Sequence, residues 1–210
     1  MTVLSTAPAR PRRTQAERRA ESDQRLLRAA AELITVRGIE GASLAEIGRR
    51  AGYSHGLVHR RFGSKDALIE RLNSEAVGLF SAATIARVGR ARGAAAVRIL
   101  AETYFDLVHG PDAIARVHLV LWSEAVASGS GRRPYRATWD QRLRSALTSM
   151  IASGLEDGSI RRDLDPDSAA VVIVGLLRGV ALQLLLDPQA GSVRTAQVAV
   201  LEHLDRILRP

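Results

Sequence analysis

The chain has 210 residues, a net charge of +8 and no cysteine. The length allows a sizeable hydrophobic core, and the lack of cysteine excludes disulfides and thiolate metal sites. Aromatic residues make up only 4% of the sequence, while alanine, leucine and arginine are abundant, a composition that favours helix over strand.

The positive charge is concentrated at the start of the chain. Residues 1–65 contain 13 Lys and Arg against 6 Asp and Glu, whereas residues 66–210 contain 17 against 16. A basic segment ahead of a nearly neutral body is typical of a module that binds a polyanion such as DNA. A solvated charged surface is the alternative explanation.

The first 13 residues are rich in alanine, proline and arginine, which predicts a disordered basic arm. They lack the apolar centre of a secretory signal. The longest apolar run, 169–186, is marginal in length for a membrane span and is interrupted by Arg178 and Gln183. The sequence therefore predicts a cytoplasmic protein that does not span a membrane.

A long helix is predicted over residues 15–37. Thr14 and Glu17 have the spacing of a capping box at its start. Apolar residues follow at helical spacing, and Gly38 is placed to end the helix.

Two short helices are predicted next. The first covers 44–51, with Ser43 and Glu46 as a second capping box. The second covers about 55–61, with Ser54 as its cap.

The turn between the two short helices contains Gly52, which can adopt the positive φ of a sharp turn. Such a pair predicts a helix-turn-helix, whose second helix enters the major groove of DNA. Val58 and Phe62, four residues apart, are predicted to face the core. Side chains on the opposite face can donate to base edges and phosphates. They are His55, His59 and Arg60.

Six further helices are predicted between glycine and proline breaks. Ser64 is placed to cap one that runs through Leu68 and Leu72. The others cover 94–109, 112–127, 134–157, 166–186 and 192–208. Since no segment has strand periodicity, we predict an all-α fold of about nine helices.

The segment 43–66 resembles the helix-turn-helix of the TetR family of regulators. At the positions of the family's motif, in register, this chain has Ser43, Ile47, Gly48, Ala51, Gly52, Tyr53, Ser54, Gly56, His59, Arg61, Phe62, Ser64, Lys65 and Leu68. The resemblance covers roughly residues 20–70, and residues 112–186 are more weakly similar to the regulatory domains of the BetI-like branch.

The resemblance implies a DNA-binding domain over 14–65, after the arm 1–13, and an effector-binding and dimerisation domain over 66–210. It implies a homodimer that binds double-stranded DNA at a pseudo-palindromic operator, most commonly as a repressor. A small, largely apolar effector would release it. The helix that starts at Lys65 runs from the DNA-binding domain towards the effector domain and is predicted to act as the lever between them.

The resemblance also implies which side chains contact DNA. Lys65 matches the family's phosphate-contacting lysine at a helix N-terminus, where backbone N–H groups also favour an anion. His59 and Arg61 replace a tyrosine and a second aromatic residue, but both can still donate to phosphate. Ser43 is interpreted as a cap, a phosphate contact or both. The complete predicted set is Ser43, Ser54, His55, His59, Arg60, Arg61, Lys65 and, for an arm in the minor groove, Arg12 and Arg13.

Aromatic side chains recur at helical spacing in the later helices, a pattern most often explained by core packing. The resemblance implies an effector cavity there. Its predicted lining is Tyr104, His118, Trp122 and Trp139. His118 and Glu124 lie on different faces of a helix, which is poor geometry for a metal, and no metal or cofactor is predicted.

The last two helices carry more apolar surface than one core needs, and excess apolar surface is often buried against a partner. In the family these helices form a four-helix dimer interface. The residues predicted for it are Leu177, Leu184, Val200 and Leu204. Arg178 is interpreted as an ion-pair partner at the rim of this interface, with a ligand anchor as the alternative.

Two other classes of protein are less favoured. No nucleophile–base pair, phosphate loop or paired-carboxylate motif is present, so we predict that the chain is not an enzyme. An architectural DNA-binding protein without a ligand is the remaining alternative, and it would bind operator and random DNA with similar affinity.

Overall fold

The computed structural model describes residues 14–127 and 140–210 in full, and the backbone of residues 133–139. This part of the chain forms nine helices and no strand. They are α1 (Gln15–Arg37), α2 (Leu44–Ala51), α3 (His55–Phe62), α4 (Lys65–Val88), α5 (Gly93–Val108), α6 (Ala113–Ala127), α7 (Arg133–Asp157), α8 (Pro166–Leu186) and α9 (Val193–Leu208). The predicted all-α fold is confirmed, and each predicted boundary lies within one residue of the observed one.

Polar side chains fix where the first two helices begin. Thr14 Oγ1 accepts from the Glu17 amide at 3.2 Å, and Glu17 Oε2 accepts from the Thr14 amide at 2.7 Å. Ser43 Oγ accepts from the Glu46 amide at 3.2 Å, but the Glu46 carboxylate pairs with Arg37 at the end of α1. The Ser43 half of the predicted second capping box is therefore present. The return hydrogen bond from the Ser43 amide to the Glu46 carboxylate was predicted wrongly, because Arg37 binds that carboxylate instead.

Two hydrophobic clusters hold the molecule together, and α6 contributes to both. The first, which we call the head core, joins side chains of α1 to α4 with Ile114, Val117 and Leu121 of α6. The second, the body core, joins α5, α7, α8 and α9 and includes Leu119 of α6. The α6 helix therefore connects the helix-turn-helix to the rest of the protein.

The helix α8 supplies much of the body core. By length and composition it is the one helix of the described residues apolar enough to cross a membrane, and 44% of its most apolar window is buried inside the protein. Arg178, near its middle, is buried and pairs with a carboxylate of the same chain. Both observations fit a core helix.

The predicted dimer-interface residues lie largely inside this core. Leu177 and Leu204 are 1% exposed and Val200 is 4% exposed, so they have almost no surface to offer a partner. Leu184 is half-buried and packs against the same core. Since α8 is apolar nearly all round, its periodicity does not identify the outer face, and the first three residues contribute to the core of one protomer. The exposed apolar residues on these two helices are Val171, Val172, Leu185, Leu186 and Val198.

Candidate nucleic-acid interface and ligand site

The two short helices α2 and α3 are packed unusually closely. Gly52 ends α2 in the left-handed conformation, with φ 79° and ψ 27°, as predicted for this turn. The Tyr53 amide then donates to the Gly48 carbonyl at 2.8 Å. A Cβ added to Gly48 would lie 2.9 Å from Val58 Cγ2 and 3.0 Å from the Tyr53 carbonyl oxygen. Gly48 therefore sets how close α3 lies to α2.

We expect Gly48→Ala to lower the free energy of unfolding by about 1–3 kcal/mol, because the added methyl group must push α3 away from α2. The matched control is Gly56→Ala in α3, where an added Cβ meets no atom within 4 Å. That change should be neutral or slightly stabilising, since alanine favours helix. Urea unfolding of both variants measures the difference, and equal stabilities would contradict the close packing at Gly48.

The predicted reading side chains lie on the outer surface of α3. His55, His59 and Arg60 are exposed, and the two histidine rings stand 6.4 Å apart, one helical turn along the surface. Ser54 caps the helix, because its Oγ accepts from the Leu57 amide at 3.3 Å. Val58 is fully buried on the opposite face, as predicted. One face of α3 thus presents a row of donors to solvent.

Arg61 lies apart from this row. Its guanidinium is 3.4 Å from an Asp23 carboxylate oxygen of α1, and the side chain is only 17% exposed. The basic residue that replaces an aromatic one at this position therefore ties α3 to α1. This contact is between residues 38 positions apart, and no local pattern in the sequence indicates it.

A basic groove runs beside α3 where the first turns of α1 approach it. Its volume is about 740 Å³, and its lining includes Arg18 and Arg19 of α1 with Arg60 and Arg61 of α3. Sequence reasoning missed Arg18 and Arg19, although their position between the basic arm and the head was a signal. The predicted arm residues Arg12 and Arg13 lie outside the described residues.

Lys65 and Ser43 lie at two helix N-termini of the head. Lys65 is the first residue of α4, and its Nζ lies 3.7 Å from a carboxylate oxygen of Glu40, a highly exposed side chain. Such a loose surface pair contributes little to stability, so a phosphate can replace Glu40 at small cost. Ser43 uses only its acceptor for the cap of α2, which leaves its hydroxyl hydrogen able to donate.

A buried ion pair joins α7 and α8 in the body of the protein. Arg178 donates from Nη2 to Asp140 Oδ1 at 2.9 Å and from Nη1 to Oδ2 at 3.1 Å. Trp122 of α6 donates from Nε1 to the same Oδ2 at 3.1 Å, and the Arg178 guanidinium lies 4.5 Å from the centre of the Trp122 ring. Arg178 is therefore paired within one chain, and its interpretation as a rim residue of the dimer interface was wrong.

Two further buried side chains adjoin this pair. The rings of Tyr104 and His118 meet edge to face, with centroids 5.9 Å apart. His118 Nδ1 lies 2.7 Å from the Ala115 carbonyl oxygen, so Nδ1 carries the hydrogen and donates it. Burial lowers the pKa of His118 to about 4, and the positive charge of Arg178 adds to this effect. Burial raises the pKa of Tyr104 to about 12, although Arg178 opposes it. Both side chains are neutral at pH 7.

Three polar atoms in this region lack hydrogen-bond partners among the described residues. They are the Tyr104 hydroxyl, His118 Nε2 and Arg178 Nε, each buried. The Tyr104 hydroxyl nevertheless lies close enough to the Arg178 guanidinium for the arginine to lower the pKa of Tyr104. Buried polar atoms in proteins are normally paired with protein groups or water, so three unpaired atoms around one ion pair make this region the candidate ligand site. We call this group the polar cluster; its members are Tyr104, His118, Trp122, Asp140 and Arg178.

Three of the four predicted pocket residues thus lie together in the polar cluster. The fourth, Trp139, has a side chain outside the described residues. Sequence reasoning missed Asp140 as the partner of Arg178, although one arginine in an apolar helix does require a nearby carboxylate.

An apolar pocket of about 220 Å³ lies next to the polar cluster, between α4, α5 and α7. Its lining is mostly apolar, with Val77, Phe80, Leu100, Leu143 and Met150, but the exposed Ile85 and the cation Arg142 also border it. The Phe80 ring meets Tyr104 edge to face at 6.0 Å, so Phe80 forms the wall between pocket and cluster. None of the five residues of the polar cluster lines this pocket, and the ring contact between Phe80 and Tyr104 is what links the two regions.

The buried state of His118 should make the protein sensitive to acid. Its pKa in the fold is about 4, below the ordinary 6.5, so the unfolded chain binds more protons between these pH values. The free energy of unfolding should therefore fall as the pH drops from 6.5 to 4, by at most about 1.4 kcal/mol per unit from this one group. Protonated His118 would also face the Arg178 cation, with Asp140 and Tyr104 nearby.

Urea unfolding midpoints at pH 7.5, 6 and 5 measure this dependence. We expect His118→Gln to reduce the loss of stability in acid. His109→Gln is the comparison. Burial also lowers the pKa of His109, but that ring is only half-buried, so its replacement should change the acid dependence less than His118→Gln does. An unchanged acid dependence in His118→Gln would show that another group is responsible.

Comparison with known proteins gives two family matches that together span most of the chain. Residues 26–72 match the sequence model of the tetR family of bacterial regulatory proteins, and residues 91–209 match that of the C-terminal part of BetI-type transcriptional repressors. Over 187 residues the chain is 28% identical to the HTH-type transcriptional regulator BetI of Burkholderia mallei, covering 88% of this chain and 92% of that protein.

Solved structures share the fold at lower identity. A transcriptional regulator from Saccharomonospora viridis in complex with choline superposes with a TM-score of 0.78 at 20% identity, over 91% of this chain and 99% of that one. AibR in complex with isovaleryl coenzyme A and operator DNA superposes with a TM-score of 0.70 at 20% identity, over 90% and 98%.

Proposed function

Because the chain belongs to the TetR family and is a transcription regulator rather than an enzyme, we propose that it is a ligand-responsive repressor. It binds a pseudo-palindromic operator in the cytoplasm as a homodimer and leaves the operator when a small molecule occupies the polar cluster. The proposed DNA-binding domain is 14–65, preceded by the arm 1–13, and 66–210 binds the effector and forms the dimer.

One observation carries this proposal. An exposed row of donors on α3 and a set of unpartnered buried polar atoms occur in one chain, and α6 packs against the head core and also contributes residues to the polar cluster. Trp122 and His118 of α6 belong to the polar cluster, while Val117 and Leu121 belong to the head core. A ligand that moves α6 therefore moves the head. An architectural DNA-binding protein has no use for such a site.

The two solved relatives support the two halves of the proposal. The Saccharomonospora viridis protein is described in complex with choline, and AibR with both isovaleryl coenzyme A and operator DNA. The fold therefore accommodates small ligands as well as DNA. The effector of this chain is argued from its own side chains below.

For the DNA contacts, we propose that α3 reads bases through His55, His59 and Arg60. Lys65, Ser43 and Ser54 hold phosphates from three helix N-termini. Arg18 and Arg19, at the edge of the basic groove, extend the phosphate contacts along α1. Arg61, held by Asp23, positions α3 and contributes only weakly to binding.

We expect Arg60→Ala to weaken operator binding by about 1–3 kcal/mol if its guanidinium reads a guanine. Lys65→Ala should weaken binding to all sequences and lower the slope of affinity against salt by about one unit. Mobility-shift titrations at several salt concentrations measure both effects, with an operator selected from a pool of random DNA.

Arg194→Ala is the control for loss of positive charge, because this exposed arginine lies at the start of α9, outside the head. It should leave affinity nearly unchanged. If the Lys65→Ala, Arg60→Ala double variant binds as well as the unmodified protein, the reading surface is elsewhere.

For the dimer, we propose that the outer face of α8 packs against its copy. Val171, Val172 and Leu186 are exposed on this helix, and Val198 is exposed on α9. A Cβ added to Gly175 or Gly179 meets no atom within 4 Å, so open space lies above these glycines. A partner helix can therefore approach α8 closely, and burial of this apolar face would drive the association.

The switch is tested by measuring ligand binding and operator release in the same samples. A ligand releases DNA only if it binds the non-binding arrangement more tightly, and the coupling is reciprocal. Operator DNA should therefore weaken ligand binding by the same factor, typically about 5- to 150-fold. Ligands that bind near Trp122 and leave operator affinity unchanged would show that the polar cluster is not the switch.

A further inference from the structure

The polar cluster offers a defined set of unused donors and acceptors. Arg178 Nε–H can only donate, and the Tyr104 hydroxyl can donate or accept. His118 Nε2 can only accept, because the ring hydrogen lies on Nδ1 and is donated to the Ala115 carbonyl oxygen. A ligand that satisfies all three needs an acceptor atom and also an N–H or O–H hydrogen.

The charge of the cluster is already balanced. The Arg178 guanidinium makes two hydrogen bonds to the Asp140 carboxylate, and the Trp122 indole makes a third to the same carboxylate. A charged head group would therefore enter a buried region with no unpaired opposite charge to receive it. Burying an unpaired charge is far more costly than burying a neutral group that forms hydrogen bonds.

The aromatic surface that would attract a cation is also occupied. The Arg178 guanidinium lies 4.5 Å from the centre of the Trp122 ring, the place that a ligand ammonium takes in an aromatic site. The protein thus supplies its own cation to this face of Trp122. A quaternary ammonium, moreover, has no hydrogen for His118 Nε2 and no lone pair for Arg178 Nε.

We propose, on the premise that the polar cluster is the effector site of the proposed repressor, that the effector is uncharged. Its head group both donates and accepts hydrogen bonds, as a primary amide does. Its apolar body reaches the 220 Å³ pocket past Phe80, whose half-buried ring must turn aside to join the two regions. The head group donates to His118 Nε2 and accepts from Tyr104 and Arg178. This specificity separates the chain from a receptor for choline-like cations.

Four probes with alkyl chains of about five or six carbons test the head-group chemistry by calorimetry on the full chain at pH 7.5. Hexanamide carries an acceptor and a donor. The equally large 2-heptanone carries only an acceptor, hexanoate carries a negative charge, and hexyltrimethylammonium carries a positive one. Hexanamide should bind about tenfold or more tightly than each of the others, since each of these leaves at least one buried atom unpaired or adds an uncompensated charge.

Two variants assign the preference to particular atoms. His118→Leu removes the acceptor and should bring the affinities for hexanamide and 2-heptanone to within about twofold. Tyr104→Phe removes a donor that both probes use, so it should weaken both by about tenfold and preserve their ratio. If His118→Leu does not fold, as its melting curve would show, the probe series and Tyr104→Phe still decide the question.

Tighter binding of hexyltrimethylammonium or hexanoate than of hexanamide would overturn the inference, and so would no binding of hexanamide at millimolar concentration. Operator release is measured in the same samples to keep the two proposals apart. A charged probe that binds and releases the operator refutes the head-group inference and leaves the repressor standing. Hexanamide that binds with the expected preference but leaves the operator bound supports the inference and refutes the switch.

Discussion

Asp140→Ala should lower the free energy of unfolding by about 3–5 kcal/mol, because it leaves the Arg178 guanidinium buried without its counter-charge. Asp140 accepts both hydrogen bonds from Arg178 and a further one from Trp122, so one substitution removes three contacts between α6, α7 and α8. Water cannot solvate the unpaired guanidinium, since the Arg178 side chain is only 7% exposed. Urea unfolding at pH 7.5 measures the loss.

Two comparisons show that the loss comes from the stranded charge. The double variant Asp140→Leu, Arg178→Met removes both charges and should recover most of the stability. Asp205→Ala breaks the Arg98–Asp205 pair, which has a similar length of 2.7 Å but lies nearer the surface, and should cost less than about 1 kcal/mol. Equal losses for Asp140→Ala and Asp205→Ala would mean that burial of the Arg178 pair has no energetic consequence.

Val172→Asp should convert the protein to a monomer and weaken operator binding on the order of 100-fold or more. Val172 lies on the outer face of α8, where a carboxylate would be buried against its copy without a partner. Loss of the dimer also removes the linked binding of two half-sites, which typically strengthens binding by about 10²- to 10⁴-fold. Light scattering measures the assembly, and mobility-shift titration measures the affinity.

The matched control is Ile85→Asp, because Ile85 is a large apolar residue that is 74% exposed but lies on α4. It should remain dimeric. A Val172→Asp protein that stays dimeric at micromolar concentration would place the interface on another surface. Leu177→Asp is not a useful test, because this residue lies in the body core and the variant should unfold instead of dissociating.

The helix boundaries could be predicted because their signals are local. Thr14 begins α1 through a hydrogen bond three residues away, Gly52 ends α2 through its own backbone conformation, and Pro166 has a fixed φ at the start of α8. The outer face of α8 could not be predicted. Its side chains are apolar on every side, and only the packing of α7 and α9 decides which of them are buried.

The same distinction applies to the two sites. His55, His59 and Arg60 were placed correctly on the exposed face of α3 because the helical repeat alone fixes their direction. The pairs Arg61–Asp23 and Arg178–Asp140 each span 38 positions, and the sequence carries no signal that joins their members. The polar cluster was therefore predicted as a set of aromatic residues, without the ion pair that determines its chemistry.

The α6 helix also limits how this protein can be divided or recombined. The head core contains Ile114, Val117 and Leu121 from α6, in addition to Leu68 and Leu72 of α4, which lie beyond the predicted domain boundary at residue 65. A fragment that ends before α6 would expose the apolar faces of α1 and α4 to water. A chimera that joins this head to another regulator's body needs a matching inner face on the recipient's α6. The segment to transfer when DNA specificity is exchanged is therefore the head together with α6.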